Sequence, residues 1–155
     1  HLLDSISQQL DAVNGKSFTP DFVFAQNMRI LKDVNIILGK LNIHERTSPP
    51  NRLIGAIPRD VFNMCLEVMV EIQRLQKIAS IEPVDYSELK KGNTPSDVFT
   101  MSGMIISELQ PIKAYLNLDS VTPPARIYEH KTPEDALQVL GWVLRKLKKI
   151  RRLDY

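Results

Sequence analysis

The chain has 155 residues, of which 43% are hydrophobic and 25% charged, and a formal net charge of +2. That length and balance fit a single domain over residues 1–155 and exclude general disorder and a fibrous repeat. No apolar run reaches the roughly 18 residues of a membrane-spanning helix, and the single cysteine, Cys65, excludes an internal disulfide and a zinc site of several thiolates.

The first segment, "HLLDSISQQL", lacks the basic stretch and long apolar run of an uncleaved signal peptide. Leu3, Ile6, Leu10 and Val13 stand at helical spacing before Asn14-Gly15, which predicts a short accessory N-terminal helix. The start at His1 rather than Met leans toward an exported or periplasmic bacterial protein.

Four segments then open alike: "FTPDFVF" at Phe18, "IPRDVF" at Ile57, "NTPSDVF" at Asn93 and "KTPEDAL" at Lys131. Their prolines, Pro20, Pro58, Pro95 and Pro133, lie 38, 37 and 38 residues apart. Such regularity points to internal duplication. Thr19, Thr94 and Thr132 precede three of them, and a threonine N-cap followed by proline at the first helical position is a helix start. Asp60, Asp97 and Asp135 fall where a carboxylate reaches back to the cap backbone, whereas Asp21 comes one residue earlier.

Counting on from each proline, apolar residues recur at intervals of three and four. Val23, Val61, Val98 and Ala136 stand at three; Ile30, Val68, Ile105 and Val143 at ten; Val34, Ile72, Leu109 and Leu147 at fourteen; Ile37, Leu75, Ile112 and Ile150 at seventeen. This is one helical face, widened by Leu31, Met69, Ile106 and Leu144. The pattern predicts four helices of about 18 to 23 residues, each roughly 30 Å long. Pro111 falls inside the third and is expected to bend it. The seventh position departs from the pattern, with Asn27, Cys65, Ser102 and Leu140. Asn27 and Ser102 are therefore candidates for a polar pocket between helix beginnings, against the plainer reading of close packing with local hydrogen bonds. Gly103 and Gly141, eight residues after their prolines, fit the same close approach.

The connectors run to about 15 residues, long for a helix bundle. The first, "LNIHERTSPPNRLIGA", and the third, "LNLDSVTPPARIYEH", share Leu-Asn-apolar and then Ser/Thr-Pro-Pro-x-Arg-apolar. The chain thus reads as two helix–connector–helix units, approximately 19–93 and 94–155. The second connector includes an expected short helix at Tyr86 to Lys91, stopped by Gly92. Connectors of this length can return along a helix and permit parallel neighbours, but antiparallel packing is the expected arrangement.

No phosphate loop, His-Glu-x-x-His, calcium loop or Gly-x-Ser-x-Gly occurs, and no paired Glu-x-x-His supports a di-iron site. No cofactor, metal site or catalytic residue is assigned, and the reading leans away from an enzyme. Arg52 and Arg126, each two residues after Pro-Pro, are candidates for clamping an anion or a partner's acidic segment. His44 and His130 lie in the same connectors but do not match in position, and are read as surface residues. Six of the eight residues Arg145 to Arg152 are basic, which leaves −4 on the remainder. Lys146, Lys148, Lys149 and Arg152 are candidates for an anionic surface, with nucleic acid disfavoured for want of a recognised motif.

The expectation is an all-α four-helix bundle that binds without catalysis. It would act as a sensor, adaptor or regulatory module for a protein partner or small ligand. A lipid- or small-molecule-binding bundle, or a helical enzyme with a dispersed site, is the alternative. Oligomeric state is not legible.

Overall fold

A computed structural model describes residues 19–86 and 94–154. Among them are four helices and no strand: α1 (Pro20–Lys40), α2 (Pro58–Ile78), α3 (Pro95–Tyr115) and α4 (Pro133–Leu147). The accessory helix expected near the N-terminus lies outside the described residues. So does most of the short helix expected in the second connector, of which Tyr86 is described and is not helical.

Each helix begins at its proline, but the first turns are held in different ways. At α3 the Thr94 hydroxyl accepts from the Asp97 N–H at 3.2 Å while Asp97 accepts from the Thr94 N–H at 3.3 Å. Thr132 and Asp135 repeat this at α4. Ile57 offers no side-chain acceptor, so α2 keeps only the returning bond from its N–H to Asp60, 2.9 Å. Thr19 makes no side-chain cap bond, contrary to expectation. Asp21 accepts instead from the Lys131 N–H at 2.6 Å, which ties the end of the third connector to the start of α1.

At the other ends, Asn42, Ser80 and Asn117 adopt left-handed backbone with φ of 56°, 57° and 59°. The next residues close a six-to-one bond, Ile43 to Leu38, Ile81 to Gln76 and Leu118 to Lys113. This is the same helix stop used three times. The fourth helix is shorter: it ends at Leu147, while Ile150 and Leu153 stay buried beyond it. The basic stretch expected on a terminal helix is thus mostly a non-helical tail tucked against the bundle.

The helices are parallel, which corrects the antiparallel expectation. Pro20, Pro58, Pro95 and Pro133 surround one small cavity together with the valines and alanine of the next turn, so all four N-termini share one pole. α1 packs against α3 and α4, and α2 packs against the same two, while α1 and α2 do not touch, nor do α3 and α4. Successive helices within each proposed unit therefore sit on diagonals. The columns at three, seven, ten, fourteen and seventeen residues from the prolines meet as buried layers, none more than 3% exposed.

Parallel order requires every connector to travel the length of the bundle. The first runs down the outside of α4. Trp142 donates to the Thr47 carbonyl at 2.9 Å, Gln138 to the Pro50 carbonyl at 2.9 Å, and Arg52 reaches Glu134 at 3.2 Å. The third runs likewise down α1, where Arg29 donates to the Pro123 carbonyl at 2.9 Å and Tyr128 packs edge-on against Phe24. Four aligned helix dipoles repel one another side by side, and the sequence offsets this with charge. Every first turn carries an acidic residue and every last turn a basic one.

Candidate functional site

The polar layer seven residues into each helix is the first candidate. Parallel order brings Asn27 and Ser102 together: the Ser102 hydroxyl donates to Asn27 Oδ1 at 3.0 Å, and Asn27 Nδ2 donates to the Ala136 carbonyl at 3.0 Å. Cys65 Sγ lies 3.9 Å from the Ser102 hydroxyl. All three are fully buried. Burial raises the Cys65 thiol to about 12, against a smaller opposing effect of the Ser102 hydrogen bond, so its thiolate is not accessible near neutrality. These polar atoms satisfy one another, and none is held open for a ligand. The cavity above them, among the four prolines, measures about 20 Å³, room for about one water.

A second polar level lies thirteen residues from each proline, and sequence reasoning overlooked it. Asp33, Glu108 and Lys146 are buried there, and each is met by a connector. Lys113 Nζ pairs with Asp33 at 3.0 Å, while Thr122 of the third connector and Gln110 both donate to the same carboxylate. Gln76 donates to the Glu108 carboxylate at 3.1 Å, and Tyr86 of the second connector hydrogen-bonds it as well. Lys146 pairs with Glu45 of the first connector at 2.6 Å. Burial pushes the Glu45 carboxyl up, but hydrogen bonds from Lys146 and Thr47 outweigh it and leave the group below its ordinary value. The signal was a charged residue at a matched offset, beside the buried column at fourteen. Each pair clasps a connector onto the bundle, a structural use of buried charge.

Of the matched arginines, Arg52 sits 3.2 Å from Glu134 and 3.3 Å from Asp135, and braces the first connector on the start of α4. Arg126 is exposed and makes no hydrogen bond or ion pair with the described residues. No contact joins the two. Around them the pole carries exposed aliphatic side chains that belong to no helical column. Leu53 is 55% exposed, Ile54 81%, Ile57 54% and Ile127 94%. Leu53 and Ile127 hold the same place, directly after the matched arginines. The clue in the sequence was large aliphatic residues among proline, asparagine and glycine, where no buried column needs them.

The basic candidates divide. Lys146 is buried, with its ammonium 4.7 Å over the Trp142 ring, and so offers no charge to a surface. Lys148, Lys149 and Arg152 are exposed at the opposite pole. His44 and His130 are exposed. Among the described residues no three metal-ligating side chains gather, and no helix is long and apolar enough to cross a membrane.

Comparison of the chain with protein-family models, curated proteins and solved structures finds no match.

Proposed function

We propose that the chain is a non-enzymatic helical binding module, a sensor, adaptor or regulatory domain that recognises a protein partner at its N-terminal pole. The observation that carries the reading is the aliphatic rim of Leu53, Ile54, Ile57 and Ile127, exposed on rigidly clasped connectors. Large aliphatic side chains left in water at one pole commonly mark an interaction surface. The same pole holds Arg126, Arg59, Glu129 and Asp60, charges of both signs. An apolar centre with a mixed polar rim suits a protein surface better than a uniformly charged one. In this reading the two units, 19–93 and 94–155, contribute equivalent connectors to one surface. The alternative of a ligand inside the bundle draws no support from the Asn27–Ser102 layer, whose polar atoms are already paired.

Affinity capture with the purified chain as bait tests the reading. A protein retained by the wild type and by Asn27→Ala, but lost from Leu53→Asp/Ile127→Asp with unchanged melting temperature, is the expected outcome. A metabolite that raises the melting temperature of the wild type, but not of Asn27→Ala, would place the site inside the bundle and overturn it.

A further inference from the structure

We propose that the C-terminal pole, separate from the partner surface above, docks on an anionic lipid bilayer through cations supplied by two segments far apart in sequence. One cation in the last turn of each of the first three helices, and two in that of α4, answer the carbonyl ends. The tail after α4 goes well beyond that requirement. Ile150 and Leu153 are buried, which fixes the tail against the bundle, and Lys148, Lys149, Arg151 and Arg152 are left exposed around them. A run that would be a flexible basic tail is thereby spread over an end face.

Arg46 joins from the first connector. Its neighbour Glu45 is locked to Lys146 at 2.6 Å, and Arg145 donates to the Ser48 carbonyl at 2.9 Å, so Arg46 is carried to the end of α4 and stays exposed. Asp154, 3.9 Å from Arg152, is the one acidic side chain in the described tail. Ile78, the last residue of the adjoining α2, is 41% exposed at the same end. Glu82 and Asp119 are also exposed just beyond the ends of α2 and α3, but Arg46, Lys148, Lys149, Arg151 and Arg152 outnumber them and Asp154. A mainly cationic face with an aliphatic residue beside it suits the boundary between anionic headgroups and acyl chains.

Nucleic acid fits less well. Trp142, the ring beside the tail, is covered by Lys146 and its Nε1 donates to Thr47, so it is not free to stack on a base. The half-exposed Tyr115 stands at the end of α3, diagonally across the bundle from α4. The cations sit on the end of a bundle rather than along a helix that could enter a groove.

Vesicle flotation tests the proposal, with phosphatidylcholine alone and with about a third of the lipid replaced by phosphatidylserine. The wild type is expected to float with the anionic vesicles only, and to be released as salt rises. Near such a surface each Lys or Arg is worth about fivefold in partitioning, so Lys148→Gln/Lys149→Gln/Arg151→Gln/Arg152→Gln should lose about a hundredfold or more. Arg46→Gln alone should lose several-fold, which a tail acting by itself would not show. Circular dichroism melts verify that both variants remain folded. Failure of the wild type to float with anionic vesicles at low salt, equal flotation with neutral ones, or no effect of either variant overturns the proposal. Tighter binding to duplex DNA than to the vesicles overturns it in favour of nucleic acid.

Discussion

Asp33 of α1 and Lys113 of α3 form an ion pair of 3.0 Å, with side chains 0% and 2% exposed. The carboxylate also accepts from Thr122 and Gln110, so its oxygens are well supplied. In a pair this buried the loss of one partner costs more than the loss of both, because the penalty comes from stranding a charge. Lys113→Met should therefore cost about 3 to 5 kcal/mol in urea unfolding. Asp33→Leu/Lys113→Met should cost less than Lys113→Met alone. Equal losses in the single and double variants would mean that packing, rather than charge, sets the value of the site.

Among the described residues, no cation fills the corresponding place between α2 and α3. Glu108 is held there by Gln76 and by Tyr86, and the Tyr86 hydroxyl is pushed up to about 12 by burial and by its bond to the nearby Glu108 charge. The folded state thus keeps a proton that the unfolded chain releases near pH 10. Above that pH the unfolded state binds fewer protons, so stability must fall as pH rises from about 10 to about 12. The contribution is complete below that window. Urea midpoints measured across it should decline in the wild type and decline less in Tyr86→Phe. Parallel declines would show that the Tyr86 hydroxyl does not reach Glu108 in solution.

The starts of the four helices were legible because they rest on local chemistry: proline fixes the first dihedral angle and the threonine and aspartate caps act within four residues. The layers were legible for the same reason, as a period of three and four. Direction was not read, although one clue was present. Asn27, Cys65 and Ser102 share an offset from their prolines, and equal offsets form one level only when the helices start from the same pole. Pairs such as Asp33–Lys113 could not be read, since 80 residues separate them and nothing local says which carboxylate meets which ammonium. The exposed Leu53 and Ile127 stand in the matched connectors, but exposure is a tertiary property that the match alone does not reveal.

The three helix stops place a non-glycine residue in left-handed backbone, and Ser80 is the least suited of them. Asparagine tolerates that region through its short polar side chain, as at Asn42 and Asn117, whereas serine gains less there. Ser80→Gly should raise stability by about 0.5 to 1 kcal/mol, the order of the relief from a crowded Cβ. A rise in melting temperature checks it. A fall would mean that the Ser80 side chain supports the turn in a way its backbone geometry does not disclose.

Gly103 and Gly141 occupy the same position eight residues into α3 and α4, and their matched register suggests one explanation for both. The structure separates them. A Cβ at Gly141 would lie 2.7 Å from Cγ of Pro50, because the first connector crosses α4 there in close contact, with Gln138 donating to the Pro50 carbonyl. A Cβ at Gly103 would meet the Gln26 amide end at 3.7 Å, an ordinary distance to a side chain. The same substitution should therefore act in opposite directions. Gly103→Ala should stabilise by about 0.5 to 1 kcal/mol through helix propensity alone. Gly141→Ala should destabilise by about 1 to 3 kcal/mol, since the pinned Pro50 must shift and overpacking outweighs the same propensity gain. Chemical unfolding of the two variants decides the matter, and Pro50→Ala in the Gly141→Ala background should recover part of the loss by removing the ring carbon in the way. If Gly141→Ala were as stable as Gly103→Ala, the first connector would not lie on α4 as described. The route that carries Arg46 to the basic pole and Leu53 to the opposite one would then fail with it.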